Sequence, residues 1–385
     1  MSPRKIIFIY ADPPGFSGQR SAAEIVAKGC QARGDTCEIL KVPTANRIGG
    51  QKITWVFGFA WGLWLIIWAA LRQRFMGPAL VYLTCGQTLT GLIRDGLPFV
   101  VIQLFKKKRS ILSLHGSNFT RWEKSSVKAY LLRALIAQSQ IVTVLGNSQK
   151  KALLNLQVPE CKIRVVPNTC TIEVLSDEFV TQKQMLPESE PLKILYLSSL
   201  IKSKGYPLFL ESLERLAQTP GRCIEAVLCG SIIISEYQDF PSVEVATELV
   251  EAKVDRINAS QRCRVQWVKG AYGEEKTALF EEAQLFVFPT LYPVEAQPLV
   301  LLEAMASGGA IITSQIGEIS TILNQSDADL LTDVSVDSVS TAIDQLIQND
   351  DERLQSALRC KHRFEREFAL APHLDLWAKL FSEVS

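Results

Sequence analysis

Two glutamates, Glu295 and Glu303, give the chain its first chemical lead. They bracket the start of a helical stretch in residues 285–318, LFVFPTLYPVEAQPLVLLEAMASGGAIITSQIGE. LFVFP reads as a short apolar strand and AIITS as another, with a helix between them. Pro298 suits the first helical position, and Gly308 and Gly309 suit a left-handed exit. The spacing predicts a βαβ unit, with the Thr290–Gln297 loop at the carboxyl end of a parallel strand, where open α/β sheets bind ligands. A helix N-terminus presents free N–H groups and partial positive charge, which favour phosphate. Carboxylates there accept hydrogen bonds from hydroxyls, which sugars and riboses supply. The pattern predicts a nucleotide-sugar site.

Positioning such a site needs a frame, and the bulk numbers bound it. A chain of 385 residues exceeds the usual single-domain size, so two domains are expected. A net charge of +1 gives no global case for nucleic acid. The nine cysteines form no CxxC pair and are odd in number, which points to reduced thiols in a cytosolic protein. With three histidines, none near paired cysteines, zinc is not expected. Asp327-Ala328-Asp329 spells a metal-binding DxD but lies beyond the site, and is read as incidental. The strand-like KIIFIY from Lys5 leaves no room for a signal peptide.

Strands and helices alternate through the first half: Lys5–Tyr10, a helix to Arg33, Thr36–Val42, an apolar helix, Ala79–Thr84, Ser110–Leu114, Gln140–Leu145 and Lys162–Val166. That order predicts a parallel sheet wound with helices. Residues 170–191 read as a polar linker. A second series follows at Leu192–Ser198, Ala226–Cys229, Val265–Val268, Leu285–Phe288 and Ala310–Thr313. Two doubly wound sheets predict a cleft between domains. A final amphipathic helix, Pro372–Phe381, is expected to pack back on the first domain. The uncharged Ile53–Leu71 holds four of the seven tryptophans and nears the ~20 residues that span a bilayer. Three readings stay open for it: a span, a buried core or dimer helix, or a helix in the membrane interface. Arg72, Arg74 and the basic run Lys106–Arg109 could meet anionic lipid or remain solvated loop charges.

Over nearly its full length the chain resembles retaining GT-B glycosyltransferases of glycosyltransferase family 4. Glu295-x7-Glu303 within PVEAQPLVLLEAMASGGAIITS resembles that family's paired-glutamate motif, and ILYLSSLIKSKGYPLFLESLERL its donor-domain opening, with Lys204-Gly205. VVPN at 165–168, LHGSNF with His115-Gly116, and Gly317-Glu318-Ile319 fall in the family's order. The resemblance implies an α/β GT-B fold of two Rossmann-like domains facing a central cleft. An acceptor-binding domain would span 1–172, a donor-binding domain 173–367, and the returning helix 368–385. It implies catalytic roles for His115, Lys204 and Glu295, and donor binding by Ser199, Lys204, Gly230, Glu295, Pro298, Leu299, Val300 and Glu303. Glu303 would take the ribose hydroxyls, Glu295 the transferred sugar, and Lys204 the diphosphate. Gly15, Ser17 and Gly18 would form an acceptor loop at the cleft floor.

The implied activity is transfer of a sugar from a nucleotide diphosphate sugar to a hydroxyl acceptor with retained configuration and no cofactor or metal. The acceptor would be a saccharide or lipid-linked sugar in bacterial surface polysaccharide or glycolipid synthesis. Localisation would be cytoplasmic, with peripheral membrane contact through 53–74 and 106–109. The chain departs from the family pattern at Ser199, where an arginine is common, at Ala296-Gln297-Pro298, and at Gln19. Losing a guanidinium removes bidentate phosphate binding. Two alternatives therefore stand beside the transferase: a GT-B nucleotide-sugar epimerase, and a catalytically degenerate nucleotide-binding subunit.

Overall fold

The protein is described by a computed structural model covering residues 3–12, 18–43, 79–105, 109–234 and 240–385. Gly15, Ser17, Ile53–Leu71, Arg72, Arg74 and Lys106–Lys108 lie outside the described residues. The chain divides into two compact units, Met1–Thr169 with Leu370–Ser385, and Cys170–Ala369.

Unit 1 carries β1 (Lys5–Asp12), β2 (Thr36–Pro43), β3 (Leu80–Thr84), β4 (Ser110–Ser113), β5 (Ile141–Val144) and β6 (Ile163–Val165). They form one parallel sheet in the order β2-β1-β3-β4-β5-β6. Among its helices are α1 (Gly18–Ala32), α2 (Leu89–Phe105), α3 (Val127–Gln138) and α4 (Asn147–Asn155). Unit 2 repeats the scheme with β7 (Leu192–Leu197), β8 (Ile224–Cys229), β9 (Cys263–Val268), β10 (Leu285–Phe288), β11 (Ala310–Ser314) and β12 (Asp329–Leu331). Their order is β12-β11-β10-β7-β8-β9, again parallel throughout. Its helices are α5 (Asp177–Gln184), α6 (Tyr206–Ala217), α7 (Val243–Asn258), α8 (Gly273–Glu282), α9 (Leu299–Ala306), α10 (Ile319–Ile322), α11 (Val336–Gln348) and α12 (Asp350–Glu367). The last helix, α13 (Leu370–Glu383), belongs to unit 1.

Sequence explains the central strands. LFVF and AIITS are buried at every position, as expected where helices cover both faces of a parallel sheet. In each sheet the strand order reverses beside the unit's first strand, between β1 and β3 and between β7 and β10. Such a reversal opens a crevice at the carboxyl ends of the two strands.

Two expectations need correction. Residues 170–191 are not simply a linker, since they contain α5, capped by Ser176 Oγ accepting from Phe179 N at 3.2 Å. Its polar side chains are buried because carbonyls satisfy them. Lys183 Nζ donates to Phe280 O (2.9 Å) and Ser307 O (2.7 Å), and Gln184 Nε2 to Gln284 O and Gly308 O. Pro298 does not open α9 from inside; at ψ 122° it is extended and stands at the cap. Asp327, read as outside the site, accepts from Arg363 Nη1 at 2.7 Å in an ion pair.

The final helix closes unit 1. Trp377, Leu380 and Phe381 are buried, with the Trp377 ring 5.3 Å from Tyr82 and the Phe381 ring 6.1 Å from Phe8. Arg4 Nη1 donates to Ala378 O at 3.0 Å. Among the described residues no helix is long and apolar enough to cross a membrane.

Candidate functional site

The reversal point of unit 2 collects the predicted donor residues. The segment after β7 runs through Ser199 and a 3-10 turn, Lys202–Lys204, to Gly205 at the head of α6. The segment after β10 runs from Pro289 to Pro298 at the head of α9. Backbone bonds stitch the two together, with Leu291 N donating to Ser203 O at 2.7 Å. Gly205 makes the approach possible, because its φ is +86° and an added Cβ would lie 2.1 Å from Pro289 O. The next strand supports the same loop, as Thr313 Oγ1 donates to Phe288 O and Ser314 Oγ to Thr290 O. Glu318 N then donates to Ala296 O at 2.9 Å, fixing the backbone beside Glu295.

Lys204 and Glu295 meet at this point. Glu295 Oε2 lies 3.3 Å from Lys204 Nζ, an ion pair without hydrogen-bond alignment. The ammonium also stands 5.1 Å from the Tyr292 ring centroid and 6.0 Å from that of Phe288, within cation–π range. Tyr196 Oη donates to Lys204 O at 2.9 Å and holds the turn from below. The lysine side chain keeps 18 % of its surface exposed and the glutamate 9 %. An arriving anion could therefore reach the ammonium.

Glu303 has a different partner. It sits in α9 among the buried Leu301, Leu302, Ala304 and Met305. Oε1 accepts from Lys276 Nζ of α8 at 2.5 Å, while Oε2 is buried without a hydrogen-bond partner among the described residues. Burial raises its pKa, and the Lys276 charge and hydrogen bond pull it back. A buried acceptor oxygen left open is costly, and a ligand hydroxyl would satisfy it. Leu299 and Val300 are half-buried in the first turn of α9, where N–H groups have no intrahelical partner. Gly230 follows β8 at φ +152°, and a Cβ there would fall 1.8 Å from Ser198 O, so only glycine lets the two loops touch. Ser199 is exposed and offers a hydroxyl in place of a guanidinium.

In unit 1, His115 follows β4. Its Nε2 lies 3.2 Å from Tyr82 Oη and 3.1 Å from Ser113 Oγ, and Asn168 bonds the side chain as well. The residue keeps some accessible surface, yet its neighbours desolvate the ring and take its pKa down to about 4. It borders a small cavity with Val166, Asn168, Thr169, His373 and Trp377. Gly18 opens α1, and the rest of the predicted acceptor loop falls outside the described residues.

The comparisons fit this geometry. Residues 178–362, just under half of the chain, match the family model for glycosyl transferases group 1. The chain carries a group 1 glycosyl transferase domain. No curated protein sequence matches it. Solved structures match the whole fold at low identity. HepE of Anabaena in complex with UDP is 13 % identical, covering 98 % of this chain and 100 % of its own, with TM-score 0.70. Sucrose-phosphate synthase of Thermosynechococcus elongatus is 17 % identical, covering 99 % of each chain, with TM-score 0.71. The UDP-forming α,α-trehalose-phosphate synthase of Burkholderia vietnamiensis is 14 % identical, covering 99 % of this chain and 100 % of its own, with TM-score 0.69. The fold is thus the α/β GT-B fold, with two parallel six-stranded sheets.

Within the glycosyl transferase domain, two residues were not legible from sequence. Lys276 lies in GEEKT, an acidic run that reads as a solvated helix start, and nothing in its spacing points to Glu303. Tyr292 reads as a loop aromatic until Lys204 is placed over its ring.

Proposed function

We propose that the chain is a retaining glycosyltransferase, moving a sugar from a nucleotide diphosphate sugar to a hydroxyl acceptor. The observation that carries this reading is the Lys204–Glu295 pair at the carboxyl-end crevice of β7 and β10. The open Oε2 of Glu303 and the first-turn N–H groups of α9 support it. In this reading Lys204 leaves Glu295 for the diphosphate, Leu299 and Val300 offer N–H donors, and Glu303 accepts from the ribose. Glu295, released, turns to the sugar hydroxyls. The bond from the anomeric carbon to the phosphate oxygen breaks as the bond to the acceptor oxygen forms on the same face. The departing phosphate oxygen takes the acceptor proton, and the transition state is oxocarbenium-like. Lys204 stabilises charge gathering on the leaving group, so the reading invokes no metal or other cofactor.

His115 is the proposed acceptor-side group in unit 1, held neutral at pH 7 by its buried setting. A lipid-linked or saccharide acceptor, as in bacterial surface polysaccharide or glycolipid assembly, is favoured by the Trp-rich Ile53–Leu71 stretch and the arginines after it. In this reading the enzyme works in the cytoplasm at a membrane face. Partition of the full chain onto anionic vesicles tests this part, and indifference to them would remove it.

The reaction itself is tested with purified protein, a panel of nucleotide sugars and their free nucleoside diphosphates. Because HepE is described in complex with UDP and UDP-glucose, uridine compounds come first. The expected result is thermal stabilisation by a nucleoside diphosphate and its release from the sugar donor when acceptor is added. Neither stabilisation nor release across the panel would sink the proposal, and a product of inverted configuration would overturn retention alone.

A further inference from the structure

We propose that Lys276 is a positioning residue for the donor: its ammonium fixes one oxygen of Glu303, so that the other stays an ionised, correctly aimed acceptor for a ribose hydroxyl. This rests on the donor-site reading above. The geometry carries it. Lys276 Nζ and Glu303 Oε1 are 2.5 Å apart, with 16 % and 8 % of the side-chain surfaces exposed, while Oε2 is buried and open. A carboxylate in apolar surroundings tends to take up a proton, because burial penalises its charged form. A protonated carboxyl would present a donor where the ribose needs an acceptor. The lysine prevents this twice, by charge and by occupying the oxygen that faces α8.

The surrounding groups leave that task to Lys276. Cys170 lies within electrostatic reach of Glu303, but burial pushes its thiol up to about 12, so it stays neutral. On α12, which packs against α9, the buried charges have partners of their own. Arg353 pairs with Asp350, and Lys361 pairs with Asp177 and Glu365.

The test titrates uridine 5′-diphosphate and its 2′-deoxy and 3′-deoxy analogues into full-length wild type, Lys276→Met, Lys276→Arg and Glu303→Gln between pH 6 and pH 9. In wild type, loss of the relevant hydroxyl should weaken binding about tenfold or more, as for a hydrogen bond to a charged group. In Lys276→Met that discrimination should fall towards unity at pH 6 and return as pH rises and Glu303 ionises. Lys276→Arg should keep it, and Glu303→Gln should lack it at every pH. Equal weakening of all three nucleotides by Lys276→Met, independent of pH, would overturn the proposal while leaving the donor site standing. If wild type binds no nucleoside diphosphate of the panel, the donor-site reading falls and this inference with it. Retention by Lys276→Arg separates loss of charge from failure to fold.

Discussion

Because Lys204 and Glu295 are paired, substituting one changes the electrostatic setting of the other. In the proposed donor site, replacing Glu295 with Gln removes the carboxylate that a diphosphate would displace from the ammonium. Affinity for a nucleoside diphosphate should then hold or rise several-fold. Turnover should fall by about 100-fold or more, the scale seen when one group aimed at a transition state is deleted. Lys204→Met acts in the opposite sense. It strands a nearly buried carboxylate beside the proposed phosphate site, which is strongly unfavourable, and both affinity and turnover should drop. Calorimetric titration with uridine 5′-diphosphate and initial rates with the matching sugar donor separate the two. Matching losses of affinity in both variants would mean that Glu295 helps to hold the diphosphate and does not compete for Lys204.

At the scale of elements, α13 is the clearest case of a helix secured by an uncharged histidine. Trp377 Nε1 donates to His373 Nε2 at 3.1 Å, and the Pro167 backbone bonds the same ring, which suits the neutral form. Burial lowers the His373 pKa from 6.5 to about 4. The unfolded chain therefore binds the proton first, so folded stability should fall as pH drops from about 6.5 to about 4 and stay flat above that window. The loss should be on the order of 2 kcal/mol, allowing for partial solvent screening. His373→Gln keeps an acceptor for Trp377 but does not titrate. Protection of the 370–383 amides, taken relative to the intrinsic exchange rate at each pH, should fall on acidification in wild type more than in this variant; an equal fall would assign the effect to His115 or to carboxylates elsewhere. Much of this layer was readable in advance. Runs such as KIIFIY, LFVF and AIITS are apolar enough to declare buried parallel strands, and Pro298 with Gly308 marked the ends of α9 to within a residue. The failure at α5 has a physical cause. DEFVTQKQ offers Val180 as its one deeply buried apolar side chain, and it is anchored instead by Lys183 and Gln184 bonding to distant carbonyls. Composition records that a residue is polar, but not that a carbonyl partner will be waiting for it.

The whole molecule consists of two units, each with its own parallel sheet and its own apolar core. That limits where a ligand can act. The Glu295–Glu303 motif could be placed on a βαβ unit from sequence because its strands and helix are local, whereas the Lys276 contact spans a gap in sequence that periodicity cannot bridge. All the proposed donor groups, from Ser199 to Glu303, nevertheless fall in unit 2. A nucleoside diphosphate should therefore stabilise unit 2 directly, by about 2.7 kcal/mol when supplied at 100 times its dissociation constant. Hydrogen exchange of the full chain, with and without uridine 5′-diphosphate, would locate that stabilisation. Protection should concentrate in peptides covering 198–206, 229–234, 270–280 and 289–306, the segments after β7, β8, β9 and β10. Peptides from β1 to β6 should change little with the diphosphate alone, because it lacks the sugar and brings no acceptor. Protection confined to unit 1 would relocate the nucleotide and remove the donor roles given to Lys204, Glu295 and Glu303 together. Protection of 289–306 without 198–206 would keep the helix site for phosphate and ribose but take the diphosphate away from Lys204.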